Sequence, residues 1–331
     1  MTSVTRNARS DWIDAMRGIG ISLVVIGHAI RGIDTAGLDI AGVYHLWDVR
    51  LYATHVQILF FVSGLLVVQS LSIGRFSKFL TSRLTMILWP MILWTYVFFA
   101  VKILASSHQN QSTGLELLAT PPVPGYAHLW FLWALFQIGI IFALAFKLLR
   151  MVVTAPQIVI AVIFVFSYAL SMVPLGSHAS YWFGAAFPYL PFFSLGALVT
   201  ALVQDAQINT RWSVVAAVCF VAIFLTVPSI NALCGMPALV SMLLCLAMYF
   251  SGPLIEKFPK IIAFLAMLGV ASMAIYVMHT IFSAGVREML MLAGVTHGAT
   301  QLAIGIFVGI AGPIGARLLA QRFKLDGILR I

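Results

Sequence analysis

Charge is scarce in this chain. Only 9% of its 331 residues are Asp, Glu, Lys or Arg, and 62% are hydrophobic, whereas soluble globular proteins carry about 25% charged residues. A single water-soluble core cannot absorb that much apolar surface, which excludes an ordinary soluble domain and leaves lipid as the surroundings of the excess. Regular polar/apolar alternation is missing too, and with it the signature of a membrane β-barrel; continuous apolar runs point to helices. Cysteine is rare. Cys219, Cys234 and Cys245 sit in apolar stretches without metal-ligand spacing, so they read as small hydrophobes, with no metal site and no disulfide expected. The basic residues form no single patch, so the formal charge of +9 is a matter of membrane topology and not of nucleic acid. The first apolar run contains Asp14 and Arg17 and is followed by no small-residue cleavage site; it reads as a retained helix.

Windows of about 20 apolar residues bounded by polar or Pro/Gly-rich segments predict ten spans. They are 12–31, 51–73, 84–104, 127–147, 157–174, 181–203, 212–228, 232–252, 261–282 and 299–319. The expected fold is all-α and integral to the membrane, a bundle of about ten helices forming one domain over 1–331, with no internal repeat. The longest polar insert lies around 105–126. With that count, 15 of the 19 basic residues fall on the side of the amino terminus, and only Arg31, Arg50, Lys102 and Arg287 on the other. The positive-inside rule then puts both termini in the cytoplasm. The histidines take the opposite side: His28, His55, His128 and His279 near outer span ends, His45, His108, His178 and His297 in outer loops.

Ionisable groups inside a span cost a few kcal/mol each on insertion scales, so they tend to face the bundle interior and to carry function. The first span has Asp14, Arg17 and His28. Arg17 and His28, eleven residues apart, return to within about 20° of one helical face and are separated by roughly 16 Å along the axis. Asp14 lies one turn from Arg17 and can pair with it. In the second span, His55 precedes Ser63 and Gly64 in THVQILFFVSG, where Ser-Gly is also a common helix-packing pair. The short connection GRFSKFLTSRL groups Arg75, Lys78 and Arg83; topology alone accounts for such a loop, and guanidinium groups also suit phosphates. HLWFL sets His128 and Trp130 at an interface, and SMAIYVMH puts Tyr276 and His279 on one helical face.

Together these strings resemble the acyltransferase-3 family of integral-membrane acyltransferases, in its fucose 4-O-acetylase-like branch. The carriers are WIDAMRGIGISLVVIGH at 12–28, with arginine, ten residues, then histidine; the His55-to-Gly64 string; HLWFL at 128–132; and SMAIYVMH at 272–279. The chain has Gln57 where the branch usually has proline, and a single Arg83 where it usually has more consecutive arginines. The resemblance implies a ten-helix enzyme of the bacterial inner membrane that passes an acyl group from cytoplasmic acyl-coenzyme A to a sugar hydroxyl at the outer face. It also implies that His28 is essential for transfer and Arg17 for donor binding or site integrity.

Acyl transfer from a thioester needs a base for the acceptor hydroxyl, donors for the oxyanion, and exclusion of water. Histidine titrates near neutrality, so His28 is the expected base. Its orienting partner must come from another span, with His55, Tyr276 and His279 as candidates, while Arg17, Arg75, Lys78 and Arg83 are the expected donor contacts. Asp14, Ser63, His128 and Trp130 complete the supporting set. The gap between Arg17 and His28 is comparable to a pantetheine arm. By the resemblance the co-substrate is acetyl-CoA or else succinyl-CoA, with no permanently bound cofactor; a succinyl group would want a cation near its acyl end, which Arg31 or Arg50 at the outer rim leave open. The acceptor is a carbohydrate or lipid-linked glycan, and the remaining partner is membrane lipid. A sugar transporter or flippase is the alternative, but it would tend to show paired half-repeats.

Overall fold

A computed structural model describes residues 8–72, 76–105, 115–203, 209–234 and 236–331, and among them every regular element is helical. In chain order, α1 (Ala8–Thr35) is followed by α2 (Ala41–Tyr52) and, after a two-residue break, α3 (His55–Ser72). α4 (Phe76–Arg83) passes through a π-helical turn, Leu84–Leu88, into α5 (Trp89–Ala105). Pro90 explains the widened turn: it has no N–H to donate and its ring crowds the carbonyl four residues back. α6 (Trp130–Leu149), α7 (Pro156–Ser171), the short α8 (Ser177–Phe183) and α9 (Leu190–Val203) come next. Then follow α10 (Thr210–Cys234), α11 (Pro237–Phe250), the single turn α12 (Gly252–Ile255), α13 (Pro259–Val270), α14 (Ser272–Leu292), α15 (Gly298–Arg322) and α16 (Asp326–Leu329). Proline opens α7, α11 and α13 at their first turns, where its missing N–H costs nothing.

Six stretches are long and apolar enough to cross a membrane: Asp11–Thr35, Leu46–Leu71, Phe76–Leu104, Ala127–Leu149, Thr210–Ile230 and Gly298–Arg322. A seventh candidate is the pair α13 and α14, bent by 74° where they meet. α7, α9 and α11 are shorter apolar helices. Each of the ten expected windows therefore coincides with an apolar helix, but two differ from a simple rod. The 181–203 window holds the end of α8 and then, past Gly184 and Pro188, its long helix only from Leu190, with Pro191 in the first turn. The 261–282 window is two helices, the second running on to Leu292. Apolar side chains such as Phe166, Val218 and Phe307 are exposed on these helices, as lipid-facing positions are. The chain is a multi-pass membrane protein.

The residues gather in two compact units, one comprising Met1–Val62 with Asp205–Leu329 and the other Ser63–Gln204. In the first, α1 is the central strut, with Ala15, Met16, Ile21, Val24 and Val25 almost fully buried. Its crossing with α13 is made backbone to backbone. A Cβ on Gly18 would fall on the Leu265 carbonyl, and one on Gly269 on the Asp14 carbonyl, so only glycine allows the approach. Trp12 donates its indole N–H to the Tyr249 carbonyl at 3.1 Å and covers Gly252. On the other side of the unit, α15 lies close to α14 through Gly309 against Ser283 and Gly312 against the Phe282 ring. In the second unit, Gly64 of α3 abuts the Phe193 carbonyl of α9, and Thr200 donates to the Leu65 carbonyl at 2.9 Å.

Candidate functional site

The carboxyl-terminal end of α1 brings His28 against α14. The His28 and His279 rings have centroids 5.1 Å apart, tilted by 54°. His279 is fully buried, and its Nδ1 lies 3.0 Å from the Ile275 carbonyl and 2.8 Å from the Tyr276 carbonyl. Carbonyl oxygens only accept, so Nδ1 carries the proton and Nε2 is the acceptor side of the ring. Tyr276 is buried beside it, with ring centroids 6.3 Å apart.

His55, at the start of α3, is held in the same manner, its Nδ1 bonded to the Leu51 carbonyl one turn back. The Tyr52 ring meets it edge-on at 4.5 Å. Arg31, one turn beyond His28, grips Asp48 of α2 with two bonds, Nε to Oδ1 at 2.7 Å and Nη2 to Oδ2 at 3.0 Å, and its guanidinium lies 3.4 Å over the Tyr52 ring. This clamp ties α2 to α1 and places Tyr52 between a cation and an imidazole. Gln57, standing where the resembling branch has proline, donates to the Tyr52 carbonyl at 2.8 Å and so satisfies a group left over at the α2–α3 break.

Beside His28 opens a cavity of about 160 Å³ walled by α1, α14 and α15. Ala29, Gly32 and Ile33 continue its α1 wall, Thr280, Ser283, Ala284 and Arg287 come from α14, and Gln301 and Gly305 from α15. Arg17 is not among its lining residues. Arg17 lies further down the helix, paired with Asp14 at 3.2 Å as the spacing predicts.

The other predicted positions belong to the second unit. Arg83 is partly buried, its guanidinium 4.7 Å over the Phe79 ring and its stem against Gly139, and its Nε has no partner among the described residues. Lys147 approaches the Phe76 ring at 5.3 Å, and Lys78 is exposed. Arg75 lies outside the described residues. His128 is buried in a 3-10 turn, Ala127–Leu129, edge-on to Phe98 at 5.5 Å, and Trp130 packs on Tyr189 at 5.5 Å. Ser63 is half-buried next to the close-packed Gly64.

Sequence reasoning singled out His28, His55, Tyr276 and His279, which this unit gathers in one region. It missed the polar cavity wall: Thr280, Ser283, Arg287 and Gln301. A signal was present. Tyr276, Thr280, Ser283 and Arg287 recur at steps of four, three and four, a stripe about 60° wide on one helical face. Ending the span at 282 put Arg287 in a loop and hid the stripe. Arg31 and Arg50, the cations considered for an acidic acyl group, are engaged elsewhere, Arg31 on Asp48 and Arg50 on the Leu225 and Leu46 carbonyls.

A family described as an acyltransferase domain, acyltransferase-3, matches residues 10–318. Nodulation protein NolL of Sinorhizobium fredii is 30% identical over 213 residues, covering 63% of this chain and 53% of that protein. Nodulation protein NolL of Mesorhizobium japonicum is 25% identical over 170 residues, covering 51% and 43%. The chain thus spans about half the length of the curated relatives it matches. No solved structure matches it.

Proposed function

This chain belongs to the acyltransferase-3 family, and on that premise we propose that it is an O-acyltransferase of the bacterial inner membrane. It moves an acyl group, acetyl or else succinyl, from cytoplasmic acyl-coenzyme A to a hydroxyl of a cell-surface or exported carbohydrate. The observation that carries this reading is the meeting of His28 with His279, with a cavity beside His28 whose wall includes Thr280, Ser283, Arg287 and Gln301. Six long apolar helices, the bent pair and three shorter ones support a ten-span arrangement, and the excess of basic residues on one side supports cytoplasmic termini.

In this mechanism His28 accepts the proton of the acceptor hydroxyl as its oxygen attacks the thioester carbonyl. The tetrahedral intermediate collapses to the ester and the coenzyme A thiolate, which takes up the proton from His28. His279, locked through Nδ1, fixes how the His28 ring stands, and the Arg31–Asp48–Tyr52 clamp holds the neighbouring helix in place. Arg17, Arg75, Lys78 and Arg83 are the proposed contacts of the donor's phosphates, for which guanidinium groups have the right geometry. Asp14 positions Arg17. His128, Trp130 and Ser63 remain proposed supporting residues.

The test is the His28→Ala variant at normal expression. Acceptor-dependent coenzyme A release should fall by about 100-fold or more, and mass spectrometry of surface glycans should lose the acyl increment. Unchanged acylation in the variant would refute the assignment, and acceptor transport without coenzyme A release would favour a carrier.

A further inference from the structure

We infer that the cavity beside His28 is an oxyanion subsite, built around Arg287, for a carboxylate carried by one of the two substrates. The inference rests on the reading of His28 as the base of the transfer, and it names what lies next to the reacting hydroxyl.

Three residues of the cavity wall each carry a buried polar atom with no hydrogen-bond partner among the described residues: Thr280 (Oγ1), Arg287 (Nε) and Gln301 (Oε1). Unmade buried donors and acceptors are costly, most of all on a charged group, and here they gather on residues that wall the cavity beside the base. Gln301 is 1% exposed and anchored by its amide N–H to the Val295 carbonyl at 2.6 Å, so its position is fixed by the fold. Ser283 is fixed likewise, donating to the Gly305 carbonyl at 2.9 Å.

Arg287 makes the site anionic in preference. Its only ion pair among the described residues is with Glu288 at 3.6 Å, and the Glu288 side chain is 56% exposed while that of Arg287 is 21% exposed. A pair of that kind is worth little; it engages Nη2 and leaves Nη1 at the Gly32 wall of the cavity. A guanidinium N–H placed there offers a carboxylate a charge-assisted hydrogen bond. Gly32 makes room for it: a Cβ there would come within 2.6 Å of Arg287 Nη1. Since Gly32 is one turn beyond His28, the cation stands about 6 Å along the axis from the base. That is the reach between a reacting carbonyl or hydroxyl and a carboxylate on the same small group, either a dicarboxylic acyl arm or an acidic sugar. The volume of about 160 Å³ suits one such group, well short of the several hundred Å³ that larger ligands occupy.

The experiment uses the full chain in lipid nanodiscs and measures binding in two arms. One compares succinyl-CoA with acetyl-CoA, the other methyl glucuronoside with methyl glucoside. In one arm the acid should bind about tenfold more tightly than its neutral partner, and the arm that shows it tells which substrate carries the charge. Arg287→Gln should bring the pair to within about twofold, and Arg287→Lys should retain part of the difference. Gly32→Ala should weaken the preference with Arg287 still in place, which answers the case in which the arginine variants fail to fold. His28→Ala should keep the preference while losing transfer, so the two claims fail separately. No preference in either arm, or a preference that survives Arg287→Gln, overturns the inference; a preference without any coenzyme A release would keep the subsite and discard the proposed reaction.

Discussion

The two carbonyl groups that accept from His279 Nδ1 decide which nitrogen of that ring is left to act on its neighbours. In the proposed reaction a ring held in this way positions His28 without itself touching the substrate. His279→Gln should therefore lower kcat about 10- to 100-fold with KM nearly unchanged, and steady-state coenzyme A release against acceptor concentration checks it. A change confined to KM would mean that His279 binds the acceptor instead. These histidines were legible in the sequence because an imidazole in an apolar run is costly and conspicuous. Arg287 was not, since a cation at the end of a hydropathy window looks like a loop anchor until the helix is seen to continue past it. The contact between His28 and His279 could not be read at all. They are 251 positions apart, and periodicity reports which face a residue occupies, never what that face meets.

At the scale of helices, apolar windows located every long segment, but they carry no information on backbone direction. The 74° turn between α13 and α14 and the interruption before α9 lie inside windows that look uniform in hydropathy. Glycine is similarly ambiguous in sequence, and the structure separates its roles. Gly18 and Gly269 admit a neighbouring backbone, whereas Gly285 on α14 has open space where a Cβ would stand. Gly269→Ala and Gly18→Ala should each destabilise the protein by about 1–3 kcal/mol, as overpacking does, while Gly285→Ala should be neutral or slightly stabilising because alanine favours helix. Thermal unfolding in detergent, read variant by variant, distinguishes them. Equal midpoints for all three would show that the α1–α13 crossing is not held by this contact.

For the molecule as a whole, charge bias, more than any single span, carries the proposed orientation. Single cysteines placed at Leu38, between α1 and α2, and at Ser77, in α4, should react with membrane-impermeant thiol reagents from opposite faces of intact cells, the first from outside. Labelling of both from one face would break the ten-span proposal. The corner at Ala271 has a further consequence for how the chain fits its surroundings. Unbent, Pro259–Val270 and Ser272–Leu292 would form a rod of about 50 Å, against roughly 30 Å of hydrocarbon. Folding the rod takes up an overhang of roughly 20 Å of helix that includes Arg287 and Glu288, so a corner, and not helix length, governs the depth open to the last turns of α14.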